Sequence, residues 1–155
     1  PLPFAYVVHS TRHEPSSEAA LRLLAHDNFD PSREIVRVSP QPAPGNDHAR
    51  GAPASEARLE YATETRAVIH ARLETPGTLV VLNAFAEGWT ARVDGSASVV
   101  LPANLVFQSV DLPAGSHRVE LEYHTPGLAA GFGVSLLAWA WLTLQLTGTR
   151  DPRKA

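Results

Sequence analysis

His9, His13 and Glu14 are the first side chains in this sequence with the chemistry to hold a metal ion. A zincin-type centre needs two histidines one helical turn apart, with a glutamate between them on a helix. The stretch Phe4–His9 is β-prone and Pro15 closes the segment, so neither a helix nor a metal is expected there. Ser10 and Ser16 stand near these histidines as a nucleophile stands near its base, yet no strained Gly-x-Ser-x-Gly turn accompanies them. Asp94 has the type of a catalytic acid. Within Val93-Asp94-Gly95-Ser96, however, a hairpin turn asks for aspartate on backbone grounds alone. Glu74 and Glu87 read as solvated carboxylates. Glycoside hydrolysis needs two carboxylates facing each other across a cleft, and a nucleotide sugar needs a glycine-rich phosphate cradle. Neither pattern is present, and there is no cysteine for a thiolate centre. No catalytic residue, metal or cofactor is expected.

Three residues remain as candidate ligand contacts: Trp89, Asn83 and Asn104. An exposed Trp89 would stack on a sugar ring, whereas a buried one would anchor the core. It shares parity with Ala91 and Val93, which favours burial. Asn83 and Asn104 flank turns, where an amide either meets a ligand or bonds loop backbone.

The elements that must position these residues are mostly strands. The amino-terminal part reads as strand, helix, strand: Phe4–His9, then a helix capped by Ser16 or Ser17 with Glu18 in its first turn, then Ile35–Val38. Leu21, Leu24 and Ala25 give the helix its apolar stripe, and it is expected to end near Asn28. Residues 39–57, SPQPAPGNDHARGAPASEA, have the composition of a flexible loop. From residue 58 the period is two. Leu59, Tyr61 and Thr63 oppose Arg58, Glu60 and Glu64, and Ala67, Ile69, Ala71 and Leu73 oppose His70, Arg72 and Glu74. Leu79–Leu82 is continuously apolar, as a strand covered on both faces would be. Val99–Leu101 and Leu105–Val110 read as strands broken by Pro102, and Val119, Leu121 and Tyr123 alternate with Glu120 and Glu122. Some seven short strands with frequent turns predict a mainly β fold, an antiparallel β-sandwich over residues 58–126.

Residues 1–126 carry 10 Arg against 15 Asp and Glu, an acidic balance that argues against a nucleic-acid partner. From Gly127 to Leu146 the sequence holds 20 residues without a charge, and only Ser135, Thr143 and Gln145 are polar. A helix of that length spans roughly 30 Å, so a transmembrane helix over 127–146 is expected. Arg150, Arg153 and Lys154 follow it, which by the positive-inside rule puts tail residues 147–155 in the cytoplasm and residues 1–126 outside the cell membrane. Gly127 and Gly131 offer a face for a neighbouring helix. The chain opens at Pro1 without a leader and lacks methionine, so it is read as a piece of a larger membrane protein.

Residues 76–95, PGTLVVLNAFAEGWTARVDG, and 101–127, LPANLVFQSVDLPAGSHRVELEYHTPG, resemble the carboxy-terminal portion of the YfhO family. The opening PLPFAYVVHS and the stretch NFDPSREIVRV resemble the same region. The resemblance implies polytopic bacterial membrane proteins similar to glycosyltransferases that take sugars from lipid carriers. It further implies an extracytoplasmic β domain followed by a last membrane helix. The catalytic acid of such enzymes sits in an early loop that this chain does not contain, so no residue here inherits it. The expected function is therefore a non-catalytic accessory domain that positions a sugar acceptor. The expected partners are the lipid bilayer, other transmembrane helices of the parent protein, and a lipid-linked sugar or envelope polysaccharide. The alternative is a membrane-anchored sandwich that binds carbohydrate or protein.

Overall fold

Alternating apolar residues build two antiparallel sheets whose inner faces meet. The computed structural model describes residues 1–39 and 54–148, with the side chains of 129–130 and 146–148 outside that description. One sheet has four strands in the order β1 (Ala5–Val8), β6 (Gly77–Ala84), β10 (Phe107–Leu112), β9 (Leu101–Ala103). The other has five, in the order β4 (Ser55–Ala62), β5 (Arg66–Leu73), β11 (Gly115–Tyr123), β7 (Trp89–Val93), β8 (Ser96–Ser98). Ile69, Leu73, Leu79, Val81, Val110, Val119 and Leu121 fill the space between them. Each is almost wholly removed from water, and such side chains contribute about 1.5–3 kcal/mol apiece.

The four-stranded sheet is covered on its other face as well. Tyr6, Val8 and Val80 point away from the sandwich core and meet Ile35 and Ala103 in a second cluster. The cover comes from β2 (Ser10–Glu14), helix α1 (Ser17–Leu24) and β3 (Glu34–Val38), where β2 and β3 pair in parallel. Double coverage explains why β6 is apolar at every position from Leu79 to Val81. Ser16 caps α1, its hydroxyl accepting from the Ala19 amide at 3.2 Å.

The helix differs from the expectation in length and in face. It ends at Leu24, because the amides of His26 and Phe29 and the ring of His26 close a tight turn over residues 23–29. Ala20 is buried and Leu23 and Leu24 half-buried, while Leu21 and Ala25 face water. Pro102 does not break a strand either. It lies inside β9, an edge strand, where a missing donor costs no ladder bond. Asp94 and Gly95, with φ of 52° and 84°, form the expected two-residue turn between β7 and β8. Most of the expected loop over 39–57 lies outside the described residues, and residues 55–57 belong to β4.

Pro1–His124 forms one unit and a second begins at Thr125. The second contains helix α2 (Leu128–Gly148). The expected transmembrane helix over 127–146 is not found. Among the described residues no helix is long and apolar enough to cross a membrane. Within α2, Ser135 and Thr143 turn their hydroxyls back onto the carbonyls of Gly131 and Ala140. The expectations that hung on that helix are corrected with it. They are the last membrane helix of the family, the lipid bilayer and neighbouring transmembrane helices as partners, and a membrane location with residues 1–126 outside and the carboxy terminus in the cytoplasm.

Candidate functional site

The parallel register of β2 and β3 sets His13 beside Arg37, where both face the end of the four-stranded sheet. Arg37 is an ionic residue inside the apolar run Ile35–Val38 of β3, and its side chain is only 14% exposed. Its guanidinium donates to both oxygens of Asp111, Nη1 to Oδ2 at 2.9 Å and Nη2 to Oδ1 at 2.7 Å. Nη2 also reaches Ser109 Oγ at 3.1 Å. Thr78, the register partner of Asp111 across β6 and β10, donates its hydroxyl to Asp111 Oδ1 at 2.6 Å. Burial opposes ionisation of Asp111, but the hydrogen bonds from Arg37 and Thr78, with the charges of Arg37 and His13, hold its carboxyl below the usual carboxylate range.

These groups floor a groove of ≈ 350 Å³, walled by Val8, Thr11, His13 and Leu112. His9 closes one rim. Its Nδ1 lies 3.0 Å from the Pro76 carbonyl and its Nε2 lies 2.8 Å from the Ser55 hydroxyl. Gly77 is required beneath that ring, since a Cβ there would lie 2.8 Å from His9 Nδ1. Two buried nitrogens on the groove residues, His13 Nδ1 and Arg37 Nε, have no hydrogen-bond partner among the described residues. The chemistry is that of a charge-balanced polar floor with aliphatic walls. An ionised carboxylate about half exposed keeps lone pairs for hydroxyl donors, while Thr11 and His13 supply further polar contacts.

None of the three candidate contacts lines this groove, and each is engaged separately. Trp89 is half-buried against the main core, its ring 5.5 Å from that of Tyr123. Asn83 sits at a bulge where β10 shifts register between Phe107 and Gln108. There its Oδ1 accepts from the Ala84 amide at 2.9 Å, and Gln108 Nε2 donates to the Ala84 carbonyl at 2.9 Å. Asn104 is buried at a φ of 50°, and its amide and Oδ1 bond both backbone groups of Val36 at 2.9 and 2.8 Å.

Of the other reactive types, His9 and His13 line the same groove, but among the described residues no group of three metal-ligating side chains converges. Asp94 accepts from His117 Nδ1 at 2.7 Å, yet the second ring nitrogen faces the Pro113 carbonyl at 3.2 Å instead of a nucleophile. Glu74 accepts from the Ala54 amide at 3.2 Å. Sequence reasoning missed Arg37 and Asp111. Their signal was a charge inside each of the apolar runs Ile35–Val38 and Val110–Leu112.

Fold and groove together define a β-sandwich with a βαβ cover over one sheet and a polar groove at their junction. The family model described as "Bacterial membrane protein YfhO" matches residues 56–135, just over half of the chain. The chain belongs to the YfhO family. Comparison with curated proteins and with solved structures found no match.

Proposed function

We propose that this chain is a non-catalytic accessory module of a YfhO-like glycosyltransferase system and that it positions a sugar acceptor in the groove between β2–β3 and the four-stranded sheet. The observation that carries the reading is Asp111, clamped by Arg37 and Thr78 with its outer face open. A carboxylate fixed in this way accepts hydrogen bonds from the hydroxyls of a neutral saccharide. His13 and Thr11 add polar partners. The cancelled charge of Arg37 and Asp111 suits a neutral ligand. Family membership supports the sugar-transfer setting.

Titration calorimetry of the full chain with neutral di- and trisaccharides tests the proposal. Binding in the range of about 1 mM, or −4 kcal/mol, is expected, with a loss of about fivefold or more on Thr11→Val or His13→Ala. Unchanged binding in both variants, or no heat with any neutral saccharide, contradicts it. Incubating the same chain with lipid-linked and nucleotide-activated sugars and following products by mass spectrometry is expected to give no transfer.

A further inference from the structure

The outer face of the five-stranded sheet carries a second, independent arrangement. Arg58 on β4 and Arg118 on β11 are both register partners of His70 on β5, so the three lie in one row across neighbouring strands. Alternation turns all three away from the core, because Ala71, Ile69 and Val119 take the inward positions. The next row holds Glu56, Arg72 and Ser116. Three potential cations side by side, with a fourth on the diagonal, repel one another at the spacing of sheet neighbours.

The acids on this face relieve only part of that repulsion. Glu60 Oε2 lies 2.8 Å from His70 Nε2 and 3.7 Å from Arg118 Nε, and Glu120 bonds both Arg66 and Arg118. Asp94 is engaged by His117 and the Arg118 amide. Arg58 and Arg72 make neither an ion pair nor a hydrogen bond among the described residues, and Glu56, though in register with Arg72, is not within ion-pair distance. Both side chains border an open groove of ≈ 450 Å³, which His70, Ser116 and Arg118 line together with the carboxylates Glu56 and Asp94.

We infer that this groove binds a phosphoryl group, held by the forks of Arg58 and Arg72 with the Ser116 hydroxyl beside them. A planar guanidinium matches a phosphate in two parallel hydrogen bonds, and two such forks without a counter-ion supply what one tetrahedral dianion needs. The site lies on a different sheet from the saccharide groove and stands whether or not that groove binds sugar.

The test uses the full chain at low ionic strength, with inorganic phosphate, glucose 1-phosphate, glucuronate and glucose as separate titrants. Phosphate and glucose 1-phosphate are expected to bind, to weaken as sodium chloride is raised, and to raise the melting temperature. The double variant Arg58→Gln, Arg72→Gln should lose about tenfold or more in affinity. Both side chains are exposed, so the unliganded variant should melt no lower than the parent. Arg66→Gln, which removes a cation already paired with Glu120, should bind phosphate as the parent does. Phosphate affinity unchanged in the double variant overturns the inference. So does equal loss in Arg66→Gln, which would indicate general charge attraction, or binding of glucuronate without phosphate. Thr11→Val should leave phosphate binding intact, which separates failure here from failure of the saccharide groove.

Discussion

Asn104 shows how a residue that looks like a ligand contact can serve the scaffold. It holds β3 against the turn after β9 by bonding both backbone groups of Val36, from a left-handed conformation that asparagine tolerates better than most residues. Asn104→Ala leaves a buried amide without an acceptor and strains the backbone. A loss of about 2–4 kcal/mol in chemical denaturation is expected, with Asn104→Gly losing less because it removes the bond but not the permitted φ. If alanine were tolerated within 0.5 kcal/mol or so, the latch would carry no weight. Trp89→Ala should cost about 2–4 kcal/mol, toward the low side for a core tryptophan, because the ring is only half-buried against Tyr123. The parity of Trp89 with Ala91 and Val93 was readable in the sequence. The contacts of Asn83 and Asn104 were not, because a bulge and a left-handed turn depend on which strands come to lie beside them.

Among the elements, the strands that alternate and the run over Leu79–Leu82 disclosed their own environments. β2 did not. Its sequence Ser-Thr-Arg-His-Glu has no apolar position, and it is a strand because β3 pairs with it in parallel. The same blindness hid the groove, since His13 and Arg37 meet only through that pairing and Asp111 comes from β10. For α2 the sequence disclosed the helix, but the membrane span inferred from it is not found among the described residues. Gly131 and Gly133 sit inside this helix with open space where a Cβ would go. Gly131→Ala and Gly133→Ala should each stabilise the helix by about 0.5–1 kcal/mol, read as slower hydrogen exchange of α2 amides. Faster exchange would show that the helix needs the glycines for close packing.

For the whole molecule, ionisation ties the two sheets and their cover to pH. Asp94 is held below the usual carboxylate range by the hydrogen bond from His117 and then by the Arg118 amide, and Glu120 by the hydrogen bond from Arg66. Asp111 is held low by Arg37 and Thr78 against the effect of its burial. A carboxylate with a depressed folded pKa binds fewer protons folded than unfolded. Its stabilisation is therefore complete above about pH 5 and is lost as pH falls through the ordinary and then the depressed values. Melting temperature should fall steadily below about pH 4, and a maximum at pH 3 would contradict these assignments.

The central claim is that the junction of β2–β3 with the four-stranded sheet receives a neutral saccharide while the chain performs no chemistry on it. Amide chemical-shift mapping of the full chain during titration with a neutral trisaccharide tests this most directly. Saturable shifts centred on Thr11, His13, Thr78 and Asp111 are expected, with the sugar recovered unchanged. Shifts centred instead on Asn83, Trp89 and Tyr123, or none at any residue up to a concentration of about 20 mM, would contradict it.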